Sequence, residues 1–294
     1  MNDFEKWIAS STNKNEKDFR SVVHIILNAI SSHHELRAEM VMKGGILVAI
    51  AYHTGRYTRD IDFSTCKHYS DFQENHNQFI DNLGQAIHLS SAELPHGFAC
   101  RIQSSELKPG AEGNFQTLHL KVGYAEKSNE NSMKRLANGQ SSRIVQIDYS
   151  FNELVGDVGL MDLGGDEKLQ TYGLLTLIAE KYRALIQQGS GPGRRIRGSS
   201  RGQDIFDLQA ILKQSCPLRD AQNYLVQLLI EKALSRDVVA SRLSMRNEEV
   251  YTKSKDRYLA LRDEIDGELP NFDESYIFVR EFYEALPWPK SHTI

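Results

Sequence analysis

The stretch that most constrains this chain runs from Lys43-Gly44-Gly45 to Arg59-Asp60-Ile61-Asp62-Phe63. Strand side chains alternate between faces, so the second segment, read as a strand, puts Asp60 and Asp62 on one side and Ile61 and Phe63 toward the core. Met40–Met42 before the glycines reads as a short strand. The apolar run Gly45–His53 after them predicts a helix, with Gly55 as its left-handed stop. Two clustered carboxylates suit a hard divalent cation such as Mg²⁺, held by one or two carboxylates plus substrate phosphates. Glycines at the opening of a helix let backbone N–H groups approach those phosphates closely. The chemistry that fits is phosphoryl or nucleotidyl transfer. With 39 acids in 294 residues, acid-x-acid pairs arise roughly five times by chance. Specificity therefore lies in the ordered set, not in Asp60-Ile61-Asp62 alone.

A chain of 294 residues buries a substantial core, as one large domain or two smaller ones. Its 40% apolar and 25% charged residues are those of an ordinary globular protein. The net charge of −4 excludes a global polyanion binder, so any nucleic-acid contact must come from a local basic patch. Cys66, Cys100 and Cys216 are odd in number and widely spaced, which argues against a disulfide framework or a structural zinc site and fits a reducing cytoplasm. The first residues carry no basic-then-apolar signal pattern, and no apolar run approaches a membrane span, so no membrane partner is expected. The ten histidines are scattered and are assigned to the surface or to helix caps.

Residues 15–32 form an amphipathic helical pattern, with Phe19, Val22, Val23, Ile26, Ala29 and Ile30 on one stripe. Phe72–Ile87 is again helical. Phe98–Ile102, Phe115–Tyr124 and Ser142–Phe151 read as strands. In the middle one, Leu118, Leu120, Val122 and Tyr124 alternate with polar neighbours, as in a half-buried antiparallel strand. The polar segments Gln103–Gly113 and Glu126–Gln140 read as hairpin loops. From Thr171 the pattern is helical to the end, apart from the Gly-, Ser- and Arg-rich segment Gln188–Ser200. The order predicts an α+β N-terminal half joined near Gly156–Asp166 to an all-α half.

Several polar residues break these patterns. Asp148 shares a strand face with Ile144 and Gln146, where it is either a third carboxylate beside Asp60 and Asp62 or a surface residue. Lys181 lies in the apolar stripe of Leu174, Leu177, Ile178, Ala184 and Leu185. It either snorkels outward or reaches into a cleft to neutralise phosphate charge. Asp204 aligns with Leu208 and Ile211 and is also well placed as a helix N-cap, while Asp207 aligns with Ala210 and Ile211. Arg194, Arg195, Arg197 and Arg201 crowd one loop, as a phosphate- or RNA-contacting group or as a solvated loop.

Three segments resemble, in order and spacing, the AbiEii/AbiGii-type nucleotidyltransferase toxins of the polymerase-β-like superfamily. They are Met42-Lys43-Gly44-Gly45 through Arg59-Asp60-Ile61-Asp62-Phe63-Ser64, then Ala179-Glu180-Lys181-Tyr182-Arg183-Ala184-Leu185, then Gln203-Asp204-Ile205-Phe206-Asp207-Leu208. These toxins belong to bacterial type IV toxin–antitoxin and phage-abortive systems. The resemblance implies an α+β nucleotidyltransferase core with a mixed sheet over residues 1–160 and a helical domain over 161–294. It further implies NTP with Mg²⁺ or Mn²⁺, transfer to an RNA acceptor such as a tRNA end, and a cognate antitoxin. By match to the motifs, Asp60 and Asp62 would be metal ligands, Lys181 a phosphate-binding lysine and Asp204 an essential acid; Asp148 as third ligand rests on the strand pattern. Lys43, Gly44, Gly45, Arg59 and Arg195 would line the nucleotide. Ile46 stands where the family commonly carries Thr or Ser. Transfer to a protein or small molecule, or a catalytically weak nucleotide- or partner-binding module, are the alternatives.

Overall fold

The computed structural model describes residues 3–110, 113–189 and 200–290. The chain forms two compact units, Met1–Ala51 with Thr58–Thr171, and Tyr52–Tyr57 with Tyr172–Ile294.

The first unit is a mixed seven-stranded sheet with helices. Its strands are β1 (Val41–Lys43), β2 (Asp60–Ser64), β3 (Phe98–Lys108), β4 (Thr117–Glu126), β5 (Ile144–Ser150), β6 (Val158–Asp162) and β7 (Lys168–Tyr172), in the spatial order β3-β4-β5-β2-β1-β7-β6. β2 runs parallel to β5 and β1 parallel to β7, whereas β1–β2, β3–β4 and β4–β5 are antiparallel. The helices are α1 (Asp3–Ser10), α2 (Lys14–Ser32), α3 (His34–Glu39), α4 (Gly44–Ala51), α5 (Tyr69–Phe72), α6 (His76–Glu93) and α7 (Glu130–Ala137).

One sheet face is apolar because its strands alternate. Met42, Ile61, Phe63, Leu118, Leu120, Val122, Val145, Ile147 and Tyr149 are all fully buried. Phe79 stacks on Tyr149 at 5.3 Å, and Phe72 meets Phe151 at 4.8 Å, so the start of α6 is pinned by aromatic contacts. Asn13 caps α2 by accepting from the Asn15 and Glu16 amides. The predicted stripe of that helix is buried along its length. α4 (GGILVAIA) is buried from Gly45 to Ile50 and needs no polar face.

Four expectations change. α4 stops at Ala51, and His53 rather than Gly55 takes the first left-handed conformation, at φ 47°. Gly55 (φ 65°) instead serves the next turn, where its carbonyl accepts from the Asp266 amide. The expected loop at Gln103–Gly113 is strand as far as Lys108. Past the register shift between Ile102 and Ser104 most of its side chains are exposed, so the apolar alternation fades. Glu126–Gln140 holds α7, capped by Asn129 but burying only Leu136, too little to mark a stripe. The expected join at Gly156–Asp166 contains β6, a sheet-edge strand with Val158 and Leu160 exposed.

The second unit is helical: α8 (Leu174–Ile186), α9 (Gly202–Gln214), α10 (Arg219–Leu234), α11 (Glu248–Tyr258) and α12 (Phe272–Ala285). Its core includes Leu177, Ile178, Tyr182, Leu208, Leu229, Tyr258, Val279 and Tyr283. Gly202 lets α9 begin against α11, since a Cβ there would lie 2.3 Å from the Tyr258 nitrogen and 2.5 Å from the Ser254 carbonyl oxygen. The segment Tyr52–Tyr57 joins this unit through a backbone bridge from Arg56 to Ile265 and the Tyr57 N–H bond to the Glu264 carbonyl at 2.6 Å.

The histidines are less peripheral than expected. His33 does cap α3, but His24 is buried, its Nδ1 2.9 Å from His96 Nε2 and its Nε2 3.0 Å from the Leu163 carbonyl. Burial pushes both imidazoles down, His96 to about 4.

Candidate active site

Strand register assembles a row of charged side chains on the sheet face opposite the apolar one. Lys43 on β1 pairs with Asp62 on β2, Asp62 with Asp148 on β5, and Asp148 with His119 on β4. Asp60 lies one step along β2 on the same face, opposite Gln146, which is opposite Lys121. The parallel β2–β5 pairing thus brings the third carboxylate beside the acid-x-acid strand. Asp148 is not isolated: His119 Nδ1 lies 2.7 Å from its Oδ1, and the Gln146 amide donates to the same oxygen at 3.0 Å.

The electrostatics match an accumulation of negative charge. Burial and then the Asp148 charge push the Asp60 carboxyl above the usual carboxylate range, while Arg59 and His119 act in the opposite direction. The acids supply only carboxylate oxygens, which suits a hard oxygen-seeking cation rather than a thiophilic one. Among the described residues no group of three or more His, Cys, Asp or Glu is placed to hold a metal ion. A hard ion on this face therefore needs oxygens from a second source, such as the phosphates of a nucleotide.

Gly44 is locked to this arrangement. Its φ is +80°, and a Cβ built on it would fall 2.0 Å from Asp62 Oδ2. The carboxylate of Asp62 therefore occupies the space that only a glycine leaves open, directly at the start of α4. Gly45 is buried in the first turn. Ile46 is fully buried, so its side chain belongs to the core and presents no hydroxyl to a ligand. Lys43 is largely buried and pairs with Glu153 at 3.3 Å. Arg59 is exposed next to Asp60.

The second unit holds a different cluster. Lys181 is 5% exposed and does not snorkel; its amine donates to Asp204 at 3.0 Å and to Asp207 at 2.7 Å. Arg56 grips Asp207 with two parallel bonds of 3.0 and 3.1 Å. Asp204 sits inside α9, whose N-cap position is Arg201, so its carboxylate serves Lys181 rather than the helix end. Burial alone would lower the Lys181 amine, but Asp204 and Asp207 outweigh it and hold it above its ordinary value. Burial likewise opposes ionisation of Asp207, and the Arg56 and Lys181 charges outweigh it and hold that carboxyl down. Arg194, Arg195 and Arg197 lie outside the described residues.

Sequence reasoning passed over His119, Gln146 and Arg56 and gave Asp207 no role. The alternation of β4 already put His119 on the polar face; what it lacked was the pairing partner. Arg56 sits in a short connection without periodicity and left no signal.

Residues 25–281 match the family described as nucleotidyl transferase AbiEii toxin of type IV toxin–antitoxin systems. Two solved structures share the fold. A protein of Helicobacter pylori assigned as a nucleotidyltransferase is 14% identical, with a TM-score of 0.51, covering 92% of this chain and 94% of its own. JHP933 from Helicobacter pylori is also 14% identical, with a TM-score of 0.52 and coverage of 93% and 92%. No curated protein sequence matches the chain.

Proposed function

Because the chain belongs to the AbiEii family of nucleotidyltransferase toxins, each the toxin of a type IV toxin–antitoxin pair, we propose that it transfers a nucleotide from an NTP to RNA, at the acceptor end of tRNA. The observation that carries this reading is the in-register Asp62–Asp148 pair beside Gly44, with Asp60 on the same face. In the reaction an acceptor hydroxyl attacks the α-phosphorus and gives up its proton to solvent, a new O–P bond forms, the bond to the β-phosphate breaks, and pyrophosphate leaves. Asp60, Asp62 and Asp148 would hold Mg²⁺ or Mn²⁺ together with oxygens of the triphosphate, and the ion would supply positive charge against the phosphates. Backbone N–H groups of Gly44 and Gly45 at the start of α4 receive phosphate oxygens. Arg59, exposed beside Asp60, adds positive charge for the same phosphates.

Lys181 and Asp204 keep the roles the family pattern gives them. The biological outcome is growth inhibition or aborted phage infection in the cytoplasm, relieved by the antitoxin. Among the described residues no helix is long and apolar enough to cross a membrane.

The test is incubation of the purified protein with each α-labelled NTP, Mg²⁺ or Mn²⁺, and total RNA. Label should appear in RNA of tRNA size with release of pyrophosphate, and vanish in D60A and D62A. Label on the protein itself, or on a small molecule, would replace the RNA reading.

A further inference from the structure

We propose that His119 and Gln146 are positioning residues that clamp one oxygen of Asp148 and so aim the other at the reacting centre. The inference rests on the carboxylate face being the transfer site.

Both donors converge on the same atom. His119 Nδ1 stands 2.7 Å from Asp148 Oδ1 and Gln146 Nε2 stands 3.0 Å from it. Among the described residues Oδ2 has no hydrogen-bond partner, so one edge of the carboxylate is held and the other is left for a ligand. An ionised carboxylate only accepts, which fixes the proton of His119 on Nδ1.

The placement explains why a clamp is needed. Asp148 stands opposite Asp62, and its charge reaches Asp60 strongly enough to raise that carboxyl. Three like charges on one face repel, and an unrestrained aspartate would rotate away toward solvent. Gln146 sits on the same strand as Asp148, two residues before it, and opposite Asp60. His119 is directly across β4, opposite Asp148. Neighbouring strands lie about 4.8 Å apart, so an imidazole spans that gap where Ser or Thr would fall short. His119 is half-buried, which limits its own rotamers. Partners of this kind cost about 10- to 100-fold in metal affinity or activity when removed.

The experiment measures Mn²⁺ binding by calorimetry, in the presence of a non-hydrolysable NTP, alongside kcat and KM for RNA labelling. H119A should weaken Mn²⁺ by about 10- to 100-fold and lower kcat with little change in KM for the NTP. H119N, whose amide N–H can take the place of Nδ1–H, should recover most of both losses. Q146A should show a smaller loss of the same kind. In a D148N background, H119A should add almost nothing, because residues acting through one group are not additive. Wild-type Mn²⁺ affinity and kcat in H119A would overturn the clamp, as would equal impairment of H119A and H119N, or full additivity with D148N. If D62A also leaves Mn²⁺ binding and transfer unchanged, the carboxylate face is not the site, and the function reading falls first.

Discussion

The two units each gather acids with bases, and they treat the charges in opposite ways. On the sheet face of the first unit, Asp60, Asp62 and Asp148 remain partly or fully exposed, and their mutual repulsion is left standing. In the second unit, Arg56, Lys181, Asp204 and Asp207 are all buried, two cations against two anions, each carboxylate taken by a donor within 3.1 Å. A closed, neutral cluster holds elements together and fixes the direction of an amine. An open one keeps carboxylates within reach of a cation from solvent. Residue type does not separate the two, but exposure does.

The largest expected effect breaks the closed cluster. Asp207→Ala leaves the Arg56 and Lys181 charges short of a partner in a dry site, and should cost about 3–5 kcal/mol in denaturant unfolding. Replacing the pair by apolar residues, R56M with D207L, should recover much of that loss. A D207A midpoint equal to wild type would show that the cluster does not support the fold. The pH dependence has a definite sign. The folded carboxyl of Asp207 lies below its ordinary value of 3.8, so its contribution is complete above that value and disappears as pH falls through the lower folded one. Acid unfolding should therefore be shallower in the R56M/D207L pair than in wild type.

Next comes the open cluster. Asp62→Ala should lower transfer by at least about a hundredfold, since a lost cation ligand removes several kcal/mol of charge stabilisation. Its unfolding free energy should stay within about 0.5 kcal/mol of wild type, as for a group outside the core. A D62A protein that unfolds as easily as D207A would erase the contrast.

Gly44→Ala lies between these cases. A left-handed backbone costs a residue with a Cβ about 1–2 kcal/mol, and that Cβ would displace the Asp62 carboxylate. Stability should fall by that amount, and activity should fall with it; loss of stability alone would detach Gly44 from the site. The smallest effect sharpens the comparison from the other side. The folded Asp60 carboxyl is raised, so its charged form works against the fold at neutral pH. Asp60→Asn should raise the denaturation midpoint slightly at pH 7, and the gain should vanish below the ordinary carboxylate value of 3.8. A lower midpoint at pH 7 would contradict the repulsion with Asp148.

Much of the carboxylate face was legible beforehand. Asp60 and Asp62 share a side because a strand has a two-residue period, and the burial of Ile61 and Phe63 agrees with it. Lys181 was visible as a charge inside an apolar stripe. Its bond to Asp207 was not, because that residue lies on another helix, and Arg56, which holds the same carboxylate, sits in a connection without a period. The capping reading of Asp204 failed for a related reason: α9 starts at Gly202, where close packing on α11 requires glycine, and this places Asp204 in the first turn. β6 and α7 escaped notice because they bury little. Periodicity reports burial, and elements at an edge or on the surface carry little of it.

By itself the sequence determined which residues share a face of one strand or helix, because backbone geometry sets those periods from neighbouring residues alone. It also carried the ordered motifs that identify the family. Tertiary structure decided which strand lies next to β2, and hence that Asp148 meets Asp62 and that His119 and Gln146 meet Asp148. It also decided whether each charge would be buried or left open. Strand order and helix packing are chosen by how the apolar faces of distant segments fit together. No local period in the chain encodes that choice.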